Sequence, residues 1–148
     1  MNPGNLLLIS DGSQFFPILS RFLTEAGHQV TTTCRTQEAF QLLNRSNIPL
    51  VITCLGNDWN DTRAFIKTVR ELNPATAIII LRLAPEVSSP IGAYLIKDGG
   101  YNFKPLGRHG LGRMVANCLR NPVLQRAWEQ AERLAENDAV TTGWEDWT

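Results

Sequence analysis

A chain of 148 residues, 43% apolar and 19% charged, is long enough to bury one core and too short for two ordinary domains. Its 14 basic and 14 acidic residues leave no formal net charge, which argues against a broad nucleic-acid footprint. No apolar run approaches the length of a membrane span, and "MNPGNLLLISDG" lacks the basic region of a secretory leader. The three cysteines, Cys34, Cys54 and Cys118, are odd in number and far apart, with no CxxC or Cys/His cluster. That pattern fits reduced thiols in a cytoplasmic protein better than disulfides or a zinc site.

Short β-type runs alternate with helix-type segments. "LLLIS" (6–10) is a continuous apolar run that stops at Asp11-Gly12. Phe15, Ile18, Leu19, Phe22 and Leu23 then recur at helical spacing up to about Ala26, and Gly27 ends the helix. "HQVTTT" (28–33) alternates as a second strand, followed by a helix over 36–46. "PLVITC" is a buried strand with a thiol at its end. A third helix, Thr62 to Leu72, closes at Asn73-Pro74. "AIIIL" (77–81) is the most apolar strand. Residues 87–97 contain Pro90 and Gly92 and predict a poor, irregular helix. "YNF" (101–103) reads as a fifth strand, and 111–120 as a helix. Residues 122–136 place Val123, Leu124, Ala127, Trp128, Ala131, Leu134 and Ala135 on one stripe. This alternation predicts an α/β fold with a doubly wound parallel sheet covered by helices on both faces. The expected organisation is a domain over 1–120, an amphipathic helix over 121–137 and a loosely ordered tail over 138–148.

In open sheets of this kind the functional crevice lies beyond the carboxyl ends of the strands. Asp11, Cys54, Arg82 and Lys104 stand at such ends. In order, "LLLISDG", "PLVITCLGND", "AIIILRLA" and "YNFKP" resemble the four motifs of the receiver domain of bacterial two-component response regulators. "SRFLTEAGHQV" and "RELNPATAIII" are similar to the family as well, and the resemblance spans roughly residues 5 to 120. It implies a flavodoxin-like fold with five parallel strands in the order 2-1-3-4-5. It also implies an acidic pocket at the end of the first strand, a phospho-acceptor aspartate after the third, a hydroxyl residue after the fourth, and an aromatic with Lys-Pro on the fifth. In this chain Asp11 matches the second acid, but Ser10 replaces the first. Cys54 stands at the acceptor position, and Arg82 stands where the hydroxyl is expected, or Leu83 after a one-residue shift. Tyr101 matches the switch aromatic, and Lys104 and Pro105 match the Lys-Pro pair.

These departures bear on chemistry. In a receiver, a carboxylate attacks a phosphoryl group held by Mg2+, and the metal and lysine stabilise the charge that develops on its oxygens. Replacing the acceptor by a thiol removes the nucleophile and a hard metal ligand together, and Ser10 removes a further charge. No cofactor is therefore expected, with Asp11 left as a weak lone candidate for metal. Asp11, Arg82 and Lys104 could form an ionic cluster in place of the metal, unless Arg82 simply points to solvent. Cys54 is either filler left by a lost aspartate or a redox thiol made acidic by neighbouring cations. His28 and His109 read as exposed turn residues.

The sequence thus points to a receiver-like signalling module, independent of phosphorylation, that acts by protein–protein contact. No base–nucleophile pair or nucleotide-binding glycine motif suggests an enzyme. The expected contact face is the fourth helix, fifth strand and fifth helix, and the partner a sensor kinase, an output domain or a second copy forming a homodimer. Neither nucleic acid nor membrane is an expected partner. Two alternatives stand beside this reading: a thiol redox sensor through Cys54, and a phosphorylated receiver using a displaced acceptor such as Asp58.

Overall fold

The computed structural model describes residues 5–10, 15–54, 59–84, 89–97, 100–104 and 108–120, with 125–127, 129, 130 and 133. In chain order the elements are β1 (Asn5–Ile9), α1 (Phe15–Glu25), β2 (Gln29–Thr33), α2 (Thr36–Arg45), β3 (Leu50–Cys54) and α3 (Trp59–Leu72). They continue with β4 (Ala77–Ala84), β5 (Ser89–Lys97), β6 (Gly100–Lys104) and α4 (Arg108–Cys118). The strands form one sheet in the order β2-β1-β3-β4-β5-β6. β1 pairs parallel with β2 and β3, and β3 pairs parallel with β4. The fold is α/β and flavodoxin-like.

Continuous apolar strands make sense only if both faces of the sheet are covered. Leu6, Leu8, Leu50, Ile52, Ile79 and Leu81 pack on one face with Phe16, Leu19 and Leu23 of α1 and Leu111 and Val115 of α4. Leu7, Ile9, Val51, Ile78 and Ile80 pack on the other with Ala39 and Leu43 of α2 and Ile66 and Val69 of α3. Residues adjacent in sequence therefore serve opposite layers, as the period-two geometry of a strand requires.

Residues 89–97 depart from expectation: they form a strand, not an irregular helix. β5 lies between β4 and β6 and is antiparallel to both. The five expected strands, β1 to β4 and β6, do run parallel, but among the described residues the sheet has six strands rather than five. The signal is visible in retrospect. Ala93 and Leu95 pack on the α1/α4 layer while Tyr94 and Ile96 pack on the α2/α3 layer, an alternation by two. Only residues 85–88 separate β4 from β5, too few for a crossover to a parallel neighbour. Between paired Lys97 and Gly100 stand Asp98-Gly99, a dipeptide suited to two-residue hairpins. Pro90 sits near the start of the strand, opposite Leu83 and beside the register shift at Arg82/Leu83. With no helix at 89–97, the expected contact face of a fourth helix, fifth strand and fifth helix does not exist in that form.

His28 is also placed differently. It is only 3% exposed rather than exposed in a turn. The end of α1 explains this. Gly27 adopts φ 101, its N–H donates to the Thr24 carbonyl at 3.0 Å, and the His28 N–H donates to the Leu23 carbonyl at 3.1 Å. These are the two bonds of a Schellman cap, in which the residue after the left-handed glycine folds back onto the last turn. His28 takes that inward position, and Leu23 beneath it is fully buried. Among the described residues neither ring nitrogen has a hydrogen-bond partner, and burial holds the imidazole below its usual value.

Residues 125–127, 129, 130 and 133 are helical, and Glu129 pairs with Arg133 at 3.1 Å. Ala127, expected on the apolar stripe, is exposed, whereas Gln125 and Glu129 are half-buried. The tail over 138–148 and His109's side chain lie outside the described residues.

Candidate functional site

The carboxyl ends of β1, β3 and β4 come together where the parallel ladder ends. Ser10 follows β1 and is half-buried, and its N–H donates to the Thr33 carbonyl at 2.8 Å, continuing the β1–β2 ladder one residue further. Cys54 ends β3 and is half-buried, and its side chain packs against the α1/α4 core layer. Thr53 faces the other layer, and its hydroxyl donates to the Ile9 carbonyl at 3.3 Å, tying β3 to β1 beside Ser10. The ends that carry Ser10 and Cys54 are thus held by backbone and threonine bonds that require no ligand.

A second set of bonds fixes the adjoining end of β2. The Thr33 hydroxyl donates to Glu38 Oε2 at 2.6 Å and accepts from the Arg35 N–H at 3.3 Å. Arg35 begins α2 without a side-chain cap of its own, so Thr33 relays between the Arg35 amide and Glu38 in the first turn. A carboxylate there also suits the positive end of the helix dipole. The strand composition hid these roles, because threonine is equally at home as a β former.

The remaining candidates are separated by the sheet itself. Cys54 is in register with Leu81, Leu81 with Ala93, and Ala93 with Lys104. Cys54 and Lys104 therefore lie on one row but three inter-strand spacings apart, about 14 Å between backbones. Without β5 the separation would be two spacings. Arg82 follows Leu81 and so takes the opposite face from the Cys54–Leu81 row; it is exposed and makes no ion pair with a described residue. Tyr101 lies on β6 in register with Ile96. Asp11, Asp58 and Pro105 fall outside the described residues, as does the proposed meeting of Asp11 with Arg82 and Lys104.

The donor set bears directly on Mg2+, the ion that the receiver resemblance implies. A hydroxyl at Ser10 and a soft thiol at Cys54 do not suit a hard dication that selects charged oxygen ligands. Among the described residues no group of three or more His, Cys, Asp or Glu side chains is disposed to hold a metal. Of the other thiols, Cys34 is exposed. Burial pushes Cys118 up to about 11, with Lys97 pulling slightly the other way, so it stays a packing thiol.

Beside this end of the sheet runs a groove of about 500 Å3 between α1 and β2, with Ser10 at its rim and Phe16, Arg21, Glu25 and Thr32 in its walls. No helix among the described residues is long and apolar enough to cross a membrane.

No family model matches the chain. It is similar to the transcriptional regulatory protein GlrR of Escherichia coli (strain K12), with 26% identity over 155 aligned residues covering 92% of the chain. It is similar to the same extent to the transcriptional regulatory protein QseF of Escherichia coli O157:H7. The chain spans about a third of the length of these relatives, 34% in each case.

Proposed function

We propose that the chain is a receiver-like signal-transduction module that works by protein–protein contact and carries out no phosphoryl transfer. The flavodoxin-like fold and the similarity to transcriptional regulatory proteins over 92% of the chain support the first half of this reading. One observation carries the second half: the row Cys54–Leu81–Ala93–Lys104 puts a whole strand more than the receiver arrangement between the acceptor position and the lysine. A lysine's four-carbon stem does not bridge that gap. A thiol at the acceptor position removes the carboxylate nucleophile, and with Ser10 in place of the first acid only Asp11 of the acidic pocket is left as a charged oxygen ligand for metal-assisted transfer. The signal then passes through shape: a partner protein, whether a sensor kinase or an output domain, reads a surface fixed by the fold. Cys54 serves as packing at a strand end and not as a redox centre, in keeping with its seat against the core layer.

Two measurements on one sample test this. Amide NMR spectra recorded before and after Mg2+, and again after beryllofluoride, are expected to superimpose around Ser10, Cys54 and Tyr101. Intact mass after incubation with acetyl phosphate and Mg2+ is expected to stay at the unmodified value. Shifts in that region with a stoichiometric phosphoryl adduct, at Asp58 or elsewhere, would return the chain to the phosphorylated receivers. Selective oxidation of Cys54 in the folded protein, ahead of exposed Cys34, would instead favour the thiol sensor.

A further inference from the structure

From Thr24 to Thr32, where the chain leaves α1 and enters β2, every residue but one is exposed or half-buried. The exception is His28, 3% exposed, with Leu23 fully buried beneath it. One side chain therefore pins this joint to the core, and a histidine is an ill-suited pin. A neutral imidazole carries one N–H donor and one bare nitrogen. Neither has a hydrogen-bond partner among the described residues, so the inward seat is held against an uncompensated loss of hydration.

The end of α1 just outside suits the protonated ring instead. Its last turn holds no basic residue, and the last carbonyls of a helix lie at the negative end of its dipole, which favours a cation. Glu25, exposed and within one turn of His28, adds a carboxylate there. Of the elements around the ring, β1 and β2 carry no charged residue. In the same layer α1 presents Arg21 and Glu25, and the described charges of α4 and its end are Arg113 and Arg120; all four are exposed. Burial, and no neighbouring charge, holds down the ring's affinity for a proton.

We propose that the joint between α1 and β2 is an acid-released latch: neutral His28 is seated inward, and on protonation its imidazolium turns out to the end of α1 and the turn from Thr24 to Val30 opens. The two core layers stay packed, because no other buried side chain of that turn leaves with it. The groove between α1 and β2 has Thr24 and Glu25 in its wall and changes shape as the latch opens. Below the ordinary imidazole value of 6.5, each pH unit raises the ratio of open to closed forms about tenfold, until the inward ring itself takes up a proton. The latch makes this face of the domain sensitive to pH whether or not the chain transfers phosphoryl groups.

Amide hydrogen exchange of the 148-residue chain, followed by NMR on both sides of pH 6.5, tests this. Protection of the Gly27 and His28 amides, corrected for the intrinsic rate, is expected to fall about tenfold per pH unit below that value. It should stay well below the protection of fully buried Ile78 and Ile79 in β4 and be unchanged by low urea, the mark of a local opening. His109→Gln should leave this acid dependence intact, and His28→Leu should abolish it. Protection at Gly27 and His28 that is flat with pH overturns the proposal. Exchange there that matches β4 in level and in urea dependence also overturns it, because the joint would then open only with the whole molecule. A slope kept in His28→Leu, or lost in His109→Gln, overturns it equally. The unsubstituted chain and His109→Gln decide the matter even if His28→Leu does not fold.

Discussion

The two halves of the sheet are built on different rules. From β2 to β4 every strand is parallel, each connection passes through a helix, and the strands β1, β3 and β4 bury both faces in aliphatic side chains. From β4 to β6 the chain folds into an antiparallel meander through short connections. The parallel half keeps Ser10 and Cys54 where the receiver resemblance expects acids. The antiparallel half moves the Lys-Pro strand one position outward. A resemblance carried by motifs in the right order therefore does not guarantee that the motifs meet, because a single inserted strand separates them without disturbing any of them.

The difference between the halves is measurable. Ile79→Ala, in the parallel half and fully buried, should cost about 2–5 kcal/mol in denaturant unfolding. Leu95→Ala, on half-buried β5, should cost about 1–2 kcal/mol. Equal losses would mean that β5 is as deeply embedded as β4. A smaller effect depends on pH. The His28 imidazole is held below its usual value of 6.5 by burial, so the unfolded chain takes up a proton that the folded chain resists. Stability is then fully present above pH 6.5 and falls as the pH drops from that value toward the lowered folded one. In His28→Leu this part of the slope in a pH series of urea titrations should vanish; an unchanged slope would place the acid sensitivity elsewhere. Thr33→Val, which breaks the relay to Glu38 and Arg35, should cost about 1 kcal/mol in the same titrations. The smallest expected effect is the most informative for function. Cys54→Asp restores an acceptor carboxylate yet should gain no stable phosphoryl group from acetyl phosphate, because Lys104 stays three strands away.

Most of the parallel half was legible in the sequence because its signals are local and redundant. Continuous apolar runs, helical spacing at Phe15 to Leu23 and the stop at Gly27 all agree. The meander is hidden because Pro90 and Gly92 weaken a helix and a strand alike. Its decisive marks, the Ala93/Tyr94 alternation and Asp98-Gly99, carry weight only once a hairpin is considered. His28 was misplaced for a related reason. A histidine after glycine reads as a turn residue, whereas the Schellman cap makes that position an inward one. The candidate site was legible as a set of positions but not as distances, since spacing along the chain does not report how many strands intervene.

Backbone NOEs would show where β5 sits in the sheet. On a uniformly labelled sample, contacts should link β4 to β5 near Leu81–Ala93 and Ile79–Leu95, and β5 to β6 near Ala93–Lys104, with none between the backbones of β4 and β6. Sequential helical NOEs through 89–97, together with direct contacts between β4 and β6, would contradict the account and bring Lys104 back within reach of Cys54.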